Sequence, residues 1–440
     1  MSTVAPRRRL RGLPLVLVGA AAGIWAYALQ GMGLHETAPG DLTAYAIVLV
    51  AVAVAGWIGV RIMARGADPV LYPTAVFLGG LGLAMLFRIM DERGFPEIAR
   101  SQAIWFAIGI GCFLAVLAVL RDIRRLDAYT YTLGLIGIVL LLLPIVPDIG
   151  PFGGTEENGA RLWFQVGGLG FQPAEFGRLF VVVFLASYLA QKRELLAAGI
   201  GRFGLPRAKD LGPLLLAWGA SLAVLFLERD MGASLLLFGV FVVMVWVATG
   251  RAGYLVLGLV MFAAGAFLGF IAFDHVQLRV DAWLHALDPD LVKGAGYQLA
   301  QGWFALATGG MVGTGLGLGS PTLIPYVSSD FILAAFGEEL GMLGVAALLL
   351  GYLVLIGRGL RIGLERREAF ESLLAVGLTT LLGLQVFVIA GGVLRLIPLT
   401  GVPLPLVSYG GTSRVATFLA LAVLVRISAG PWIRARKDAA

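Results

Sequence analysis

Long apolar segments alternate with short polar connections along almost the whole chain. About twelve of these segments, each roughly 17 to 25 residues, are long enough to cross a bilayer. The pattern predicts an all-α, polytopic integral membrane protein with about 12 transmembrane helices. The segments are 13–34, 42–63, 73–90, 102–120, 130–147, 173–191, 211–228, 232–248, 253–273, 332–357, 372–394 and 412–428.

The composition supports this fold class. Of the 440 residues, 59% are hydrophobic and only 14% are charged, whereas soluble proteins carry about a quarter charged residues. The first apolar segment follows PRRRLRG and has no small-residue cleavage site, so we expect a retained membrane anchor. The single cysteine, Cys112, lies inside a segment, which excludes disulfides and cysteine metal sites.

The basic residues predict the orientation in the membrane. If the N-terminus is cytoplasmic, most of the 33 Lys and Arg residues fall in cytoplasmic connections, as the positive-inside rule requires. Both termini are then cytoplasmic, and most acidic residues lie outside. The net charge of +6 therefore indicates cytoplasmic loops in contact with membrane lipids, and not nucleic-acid binding.

Three connections on the predicted outer side are long and rich in Gly and Pro. They are 148–172, 395–411 and the longest, 274–331. Irregular backbone at membrane depth is tolerated only where protein buries it or where it lines a cavity. The three segments therefore favour an outward-facing cavity or groove. Three unrelated surface loops are the alternative.

The candidate chemistry begins in PYVSSDFILAAFGEELG, residues 325–341. Asp330 directly precedes an apolar run, where a carboxylate can cap the start of a helix. At the mouth of an apolar pocket it can equally act as a general base. Glu338 and Glu339 lie deeper, where an ionisable group should face the bundle interior and have a partner. We expect these two adjacent acids to face different directions, one of them bonded to a loop or a neighbouring helix.

A second polar group lies in FQPAEFGR, residues 171–178. Pro173 suits the first turn of a helix, and Glu175 then lies near the positive end of the helix dipole. Glu175 and Arg178 are three residues apart, so they share a face and can pair. Such an intramembrane pair indicates a functional role, and an internal salt bridge that fixes helix packing is the alternative. Trp163 fits a residue of the aromatic belt at the membrane interface.

Two patterns carry no prediction of a nucleotide or metal site. The glycine-rich stretch 309–320 lacks the GK[ST] ending of a phosphate-binding loop, so its glycines indicate tight turns and close backbone approach. Asp274, His275 and His285 do not have a reliable metal-ligand spacing, so we predict no metal site there.

Taken together, these motifs resemble the SEDS family, the RodA/FtsW/SpoVE proteins of bacterial shape, elongation, division and sporulation. The motifs occur in family order from about residue 73 to residue 428. They are Trp163, Gln172-Pro173-Ala174-Glu175 with Arg178, Asp230-Met231-Gly232, Gly296-Tyr297-Gln298, the glycine-rich 309–320, Ser329-Asp330-Phe331 with Gly337-Glu338-Glu339, and PLVSYGGTS at 405–413.

The resemblance implies three parts of the chain. Residues 1–72 would hold a basic cytoplasmic tail and two additional transmembrane helices. Residues 73–430 would form the ten-helix core of the family, with its large outer loop at about 274–331. Residues 431–440 would form a basic cytoplasmic tail.

The resemblance also implies an activity. Family members are peptidoglycan glycosyltransferases that polymerise lipid II at the outer face of the bacterial cytoplasmic membrane, in cell elongation or division. In the family the aspartate of the Ser-Asp-Phe motif is essential, which makes Asp330 the candidate catalytic residue. The family's conserved acid and tryptophan match Glu175 and Trp163. Its members usually work with a class B penicillin-binding protein, a single-pass transpeptidase.

A larger set of side chains has candidate roles in supporting the site or binding substrate. We expect cations among them, or a bound divalent cation such as Mg²⁺, to stabilise the charge that develops on a leaving pyrophosphate. The set consists of Trp163, Gln172, Glu175, Arg178, Arg279, Lys293, Glu338, Arg395, Ser408 and Arg414.

Some positions depart from the family pattern. Arg178 stands where Lys is common, Glu228-Arg229-Asp230 replaces Gln-Pro-Asp, and Arg395 stands where many members carry Asn. These departures leave the choice between elongation and division open. Two other functions remain as alternatives: a lipid II flippase, which needs polar residues through the full membrane depth, and a non-enzymatic scaffold, which needs neither Asp330 nor Glu175.

Overall fold

A computed structural model describes residues 12–146, 152–157, 160–166, 169–197, 219–220, 223 and 230–437. Helices make up most of this structure. They are α1 Leu13–His35, α2 Leu42–Met63, α3 Leu71–Glu92, α4 Pro96–Val119, the short α5 Arg124–Asp127, α6 Thr130–Leu142, α7 Pro173–Ala197, α8 Met231–Thr249, α9 Ala252–Ala272, α10 Asp274–His285, α11 Tyr297–Gly309, α12 Ile332–Leu364, α13 Ala369–Val393 and α14 Gly411–Lys437.

The predicted membrane segments agree with these helices. Among the described residues, ten helices are long and apolar enough to span a membrane, and each matches a predicted segment. The predicted segment 130–147 corresponds to α6 and the 3-10 turn Leu143–Ile145 that follows it. The predicted segment 211–228 lies outside the described residues, apart from residues 219–220 and 223.

The chain divides into two compact units. The first comprises Met1–Asp122, Gln301–Gly359 and Pro403–Ala440, and so contains α1 to α4, α14 and most of α11 and α12. The second comprises Ile123–Ala300 and Leu360–Val402, and so contains α5 to α10 and α13. The two helices predicted as an N-terminal addition belong to the first unit, together with α3 and α4.

Helix α1 packs on α3 through glycines. A Cβ atom at Gly23 would lie 2.9 Å from the Cα atom of Gly80, and one at Gly19 would lie 3.1 Å from the backbone nitrogen of Phe77. Small residues four positions apart let two helix backbones approach closely, which is how helices associate in lipid. The absence of side chains at Gly19 and Gly23 therefore fixes the distance between α1 and α3.

Helix α12 is broken at Gly341, whose backbone is left-handed at φ 68° and ψ −173°. The loop 310–315 pairs the backbone groups that the break leaves unbonded. Thr314 N donates to Glu338 O at 2.9 Å, and Met342 N donates to Gly310 O at 2.9 Å. Since a broken helix inside a membrane protein needs partners for these groups, the glycine-rich loop and α12 form one structural element.

The second unit contains a small antiparallel sheet in the segment 148–172, which the sequence predicts to be irregular. Strands β1 Phe152–Glu157, β2 Ala160–Val166 and β3 Leu169–Phe171 pair in that order. Phe164 lies opposite Phe171, with their ring centroids 5.9 Å apart. Hydrogen bonds between neighbouring strands pair backbone N–H and C=O groups that lipid could not satisfy. This glycine-rich segment is therefore a regular sheet and not an irregular loop.

The packing of α1 on α3 generates the first testable prediction. In the variant Gly23→Leu the new side chain meets the backbone of Gly80, so α1 must shift, at a cost of roughly 1–3 kcal/mol or more. We expect a lower thermal unfolding midpoint of the purified protein. The matched control is Gly111→Leu in α4, because a Cβ atom at Gly111 meets no atom within 4 Å. Equal midpoints for the two variants would contradict this account of the α1–α3 contact.

Candidate functional site

Asp330 lies on a tight turn directly before α12. Its backbone nitrogen donates to Tyr326 O at 3.1 Å, and Tyr326 itself is left-handed, with φ 52°. A non-glycine residue in that conformation indicates that the surrounding structure holds the turn in place. Phe331, which follows Asp330, is fully buried, while Asp330 is only half-buried. The carboxylate is therefore carried on a fixed backbone and is partly accessible.

The loop 403–410 holds this turn from the side. Ser408 Oγ donates to Ser329 O at 2.5 Å, and Tyr409 N donates to Ser328 O at 2.8 Å. Both bonds reach the two residues immediately before Asp330. The Ser408 hydroxyl therefore holds the backbone that carries the Asp330 carboxylate. A role of Ser408 in supporting a reaction stays a prediction.

The loop 403–410 is itself anchored in the first unit by three side chains. Tyr352 OH donates to Pro405 O at 2.5 Å, and Gly410 N donates to Gln102 Oε1 at 3.3 Å. Arg414 donates from Nη1 to Gln102 O at 2.8 Å and from Nη2 to Ser408 O at 3.2 Å. Arg414 is only 1% exposed, so its guanidinium ties α4 to this loop inside the bundle. That position favours a structural role over the predicted contact with a pyrophosphate.

Glu338 and Glu339 both face the glycine-rich loop, which differs from the prediction that they point in different directions. Glu338 Oε1 accepts from Ser320 N at 2.9 Å, and Glu339 Oε2 accepts from Gly317 N at 3.1 Å. A Cβ atom at Gly319 would approach both carboxyl side chains, at 3.2 Å and 3.0 Å. The break of α12 two residues later lets the loop wrap the helix end, so adjacent residues reach the same segment.

Arg88 of α3 is the buried partner of Glu339. Its Nε donates to Glu339 Oε1 at 2.9 Å, its Nη1 to Glu92 Oε2 at 2.5 Å and its Nη2 to Gly319 O at 2.9 Å. Arg88 is 2% exposed and Glu339 is fully buried. The pair therefore locks the glycine-rich loop and the broken helix against α3. The expectation that one of the two acids bonds to a loop or neighbouring helix is confirmed.

In the second unit, Glu175 and Arg178 form the predicted pair. Helix α7 begins at Pro173, and Arg178 Nη1 lies 3.4 Å from Glu175 Oε1, with both residues 6% exposed. Arg178 Nε has no hydrogen-bond partner within the described ranges of the chain. Gln172 accepts from Glu175 N through its backbone oxygen at 3.3 Å. Trp163 lies in β2 and is partly buried, so it forms part of the sheet beside the start of α7.

Two further predicted cations of this unit join α10 to the segment after α13. Arg279 donates to Leu399 O at 3.3 Å and to Thr400 O at 3.1 Å. Arg395 donates to Trp283 O at 3.2 Å, and Trp283 Nε1 donates in return to Arg395 O at 3.1 Å. Lys293, the remaining candidate cation of this unit, is exposed.

An apolar cavity of about 360 Å³ lies in the second unit. Phe238 of α8, Phe262 and Phe270 of α9, and Val276 and Val280 of α10 are among its walls, with Thr400 at its edge. Thr400 Oγ1 is buried and has no hydrogen-bond partner in the described part of the chain. Arg279 does not line the cavity itself, but it donates to the backbone oxygen of the lining residue Thr400 at 3.1 Å, so a cation lies behind the wall that carries the Thr400 hydroxyl.

The predicted site residues are thus divided between the units. Asp330, Glu338, Ser408 and Arg414 belong to the first unit. Trp163, Gln172, Glu175, Arg178, Arg279, Lys293 and Arg395 belong to the second. In the described part of the chain, no group of three or more His, Cys, Asp or Glu side chains could hold a metal ion.

The sequence prediction missed Arg88, Gln102 and Tyr352, which fix the surroundings of Asp330. Arg88 carried a usable signal, because an arginine within the apolar run LGGLGLAMLFRIM needs a buried partner. Gln102 and Tyr352 carried no signal in the sequence, because the partner of each side chain is a backbone atom of the distant loop 403–410.

The family model described as "Cell cycle protein", for FtsW, RodA and SpoVE, matches residues 70–431. Among curated proteins, the peptidoglycan glycosyltransferase RodA of Mycobacterium tuberculosis is 42% identical over 435 residues, which cover 97% of this chain and 91% of that protein. The probable peptidoglycan glycosyltransferase FtsW of Geobacter metallireducens is 32% identical over 371 residues, which cover 82% of this chain and 94% of that protein.

Solved structures show the same fold. A chain from a structure described as "Structural coordination of polymerization and crosslinking by a peptidoglycan synthase complex" has a TM-score of 0.65 at 26% identity, covering 83% of this chain and 98% of that chain. An aspartate-to-alanine variant of the rod shape determining protein RodA from Thermus thermophilus has a TM-score of 0.57 at 25% identity, with coverage of 83% and 98%.

The Arg88–Glu339 pair generates the second prediction. Arg88→Met leaves a buried carboxylate without its cation, so we expect it to destabilise the protein by roughly 3–5 kcal/mol. The double variant Arg88→Met/Glu339→Leu removes both charges and should be less destabilised than the sum of the single variants. Denaturant titration of the purified protein measures each free energy of unfolding.

The matched control is the exposed pair Arg361–Glu365, whose side chains are 65% and 53% exposed. Arg361→Gln should change the free energy of unfolding by less than about 1 kcal/mol. Additive effects in the Arg88 and Glu339 variants would show that the two charges are not coupled.

Proposed function

The chain belongs to the FtsW/RodA/SpoVE family of cell cycle proteins, and on this basis we infer that it is a peptidoglycan glycosyltransferase of the bacterial cytoplasmic membrane. It polymerises lipid II into glycan strands. The observation that carries this conclusion is 42% identity over 97% of the chain to a curated peptidoglycan glycosyltransferase, within a family match over residues 70–431.

The higher identity to a mycobacterial RodA than to an FtsW relative favours a role in cell elongation. Coverage of 97% of this chain by the mycobacterial RodA must include most of α1 and α2, because these helices end at Met63. The FtsW relative covers only 82% of the chain and is less similar. The additional helices are thus shared with the mycobacterial RodA, whereas the RodA of Thermus thermophilus, like the FtsW relative, covers only about four fifths of the chain. On the higher identity to the mycobacterial RodA we assign this chain to the elongation branch.

The catalytic base of our proposal is Asp330. Its carboxylate is partly accessible, and its backbone is held by the left-handed Tyr326 and by the bonds from Ser408 and Tyr409. A group that must receive a proton in the transition state gains from such a fixed position, because no rearrangement is needed during the reaction. The helix-capping role also considered for Asp330 would not need this much support from another loop.

The proposed reaction is a direct displacement. An acceptor sugar hydroxyl attacks the anomeric carbon of a second lipid-linked sugar, forming the new C–O bond. The bond from that carbon to the diphosphate oxygen breaks, and its electron pair leaves with the lipid diphosphate. The hydroxyl proton goes to the Asp330 carboxylate. One base and a good leaving group suffice, in contrast to the paired carboxylates of a glycoside hydrolase.

We propose that the apolar cavity in the second unit receives lipid. Its volume of about 360 Å³ and its aromatic and aliphatic walls suit a hydrocarbon chain, such as the tail of a lipid-linked sugar. Arg279, which bonds to the backbone oxygen of the lining residue Thr400, supplies a positive charge near the cavity for a phosphate group. Of the predicted cations, Arg279 is therefore our candidate for contact with the diphosphate.

The partner and the orientation of the chain are further parts of this proposal. One structural relative comes from a complex that coordinates polymerization and crosslinking. We therefore expect this chain to act with a crosslinking enzyme, a class B penicillin-binding protein. We expect both termini in the cytoplasm, which places the turn of Asp330 on the outer side of the membrane.

The third prediction tests the base. Asp330→Asn keeps the size of the side chain but cannot accept the proton, so we expect polymerisation of lipid II to fall by about a hundredfold or more. The assay follows glycan strands made by the purified protein with its penicillin-binding partner. The control is Asp290→Asn, an exposed aspartate of the same long loop, which should retain activity.

Two results would contradict the assignment of Asp330. One is polymerisation by Asp330→Asn at the wild-type rate. The other is a loss of activity that is matched by a loss of thermal stability or of the complex with the partner, since that would point to a role in folding. Transfer of lipid II across vesicles without strand formation by the wild type would favour the flippase instead.

The fourth prediction concerns orientation. A reporter that is fluorescent only in the cytoplasm should be active when fused after Ala440, because the basic connections favour a cytoplasmic C-terminus. A reporter that is enzymatically active only outside the membrane should be silent at the same position. The reverse result would overturn the orientation and, with it, the outer location of Asp330.

A further inference from the structure

A second cavity, of about 430 Å³, lies within the first unit, where α1, α3 and the start of α4 meet. Its walls include Tyr27, Gln30 and His35 of α1, Asp41 before α2, and Phe87 and Asp91 of α3. The side chains of His35 and Asp91 are 59% and 47% exposed, so solvent reaches the cavity at this pair. The helix α1 that forms one wall precedes the part of the chain matched by the family model.

Gln30 is the distinctive residue of this cavity. It is only 2% exposed, yet neither Oε1 nor Nε2 has a hydrogen-bond partner in the part of the chain that the structure describes. A buried amide without partners is costly, and native proteins rarely leave one unsatisfied. The side chain offers one donor and one acceptor next to each other, so its natural complement is a second amide.

The other polar groups of the cavity argue against an anionic ligand. All three nitrogens of Arg88, which also lines the cavity, donate to Glu339, Glu92 and Gly319. His35 pairs with Asp91 at 2.8 Å, and Asp41 accepts from Tyr27 OH at 2.6 Å. The buried cation is therefore already neutralised. Arg100, the other arginine that lines the cavity, lies 3.3 Å from Glu97 Oε1 through its Nη1. Both arginines thus have a carboxylate partner, and the two carboxylates Asp41 and Asp91 at the rim would repel a phosphate.

The same groups suit a sugar. The carboxylates of Asp41 and Asp91 can accept hydrogen bonds from hydroxyl groups, and the rings of Tyr27 and Phe87 add apolar surface for the C–H faces of a pyranose. The volume lies in the range of small-ligand sites. Neutral hydroxyls, an apolar ring face and an amide occur together in an N-acetylated hexosamine.

We propose that this cavity binds an N-acetylhexosamine unit of a glycan, with the acetamido group bonded to Gln30. The amide N–H of the sugar donates to Gln30 Oε1, and its carbonyl accepts from Gln30 Nε2. The inference rests on the proposed function, since peptidoglycan strands consist of N-acetylated sugars. The cavity would hold product that has left the reacting centre, and it would do so through a helix outside the family match.

The cavity also borders the glycine-rich loop. A Cβ atom at Gly33 would meet Gly317, and one at Gly317 would meet Gln30, so α1 and the loop are in backbone contact. Arg88 lines the cavity and at the same time pairs with Glu339 of α12. Glycan bound against Gln30 would therefore touch the element that precedes Asp330 in the chain.

The fifth prediction is a binding measurement on the full-length protein in nanodiscs. The probe is the tetramer of β-1,4-linked N-acetylglucosamine, compared with its de-acetylated form and with cellotetraose, which carries hydroxyls in place of acetamido groups. Calorimetry should detect binding of the acetylated tetramer only. Gln30→Leu removes two hydrogen bonds to the ligand and should raise its Kd about tenfold or more.

Gln191→Leu is the matched control, because Gln191 is an exposed glutamine of α7 in the second unit. It should leave the Kd unchanged. Gln30→Leu removes an unsatisfied buried amide, so its thermal midpoint should equal or exceed that of the wild type. If that variant does not fold, Gln30→Glu, which keeps the size but loses the donor, replaces it and should weaken binding in the same way.

Several outcomes would overturn this inference. If no tetramer binds, ordered water would be the partner of Gln30. Equal binding of all three tetramers, or equal binding of an acetylated dipeptide amide, would show that the cavity does not recognise an N-acetylated sugar. An unchanged Kd in the Gln30 variant would show that Gln30 does not bond to the ligand. The assay does not require polymerase activity. Failure of the wild type to polymerise lipid II would therefore remove the proposed function alone, and loss of sugar binding with intact polymerisation would remove this inference alone.

Discussion

The break in α12 is the constraint on which the first unit depends. A helix that is interrupted inside an apolar bundle leaves backbone N–H and C=O groups that lipid cannot satisfy. Here the glycine-rich loop supplies those partners on both sides of Gly341, from Glu338 to Leu343. A loop that approaches a helix backbone this closely can carry few side chains, which accounts for the density of glycine in 309–320.

The contact between the glycine-rich loop and α12 also explains how the buried charges of Glu338, Glu339 and Arg88 are paired. The loop brings the backbone N–H groups of Gly317 and Ser320 to the two glutamates, and Arg88 completes the pairing from α3. A buried carboxylate is tolerated only when a cation balances its charge and hydrogen-bond donors occupy its lone pairs. Arg88 and the backbone N–H of Gly317 provide these partners for Glu339. The start of α12 is thereby fixed, and Asp330 lies two residues before that start.

The second loop, 403–410, adds what α12 alone does not provide. It binds the backbone at Ser328 and Ser329 and is held in turn by Tyr352, Gln102 and Arg414. A partly accessible carboxylate thus stands on a backbone supported by buried neighbours, which is the arrangement that proton transfer favours. Helix α1 extends this support, since it contacts the glycine-rich loop at Gly317 and encloses the cavity around Gln30.

The sequence alone determined the features that depend on neighbouring residues. Hydrophobic runs located the spanning helices, Pro173 marked the start of α7, and the spacing of Glu175 and Arg178 gave their pairing. It did not determine features that depend on distant segments: the sheet in 152–171, the shared direction of Glu338 and Glu339, the partner of Arg88 251 positions away, or the anchoring role of Arg414. Helix periodicity and end effects act over a few residues, whereas the partner of a buried charge or a strand is set by which remote segments the fold brings into contact.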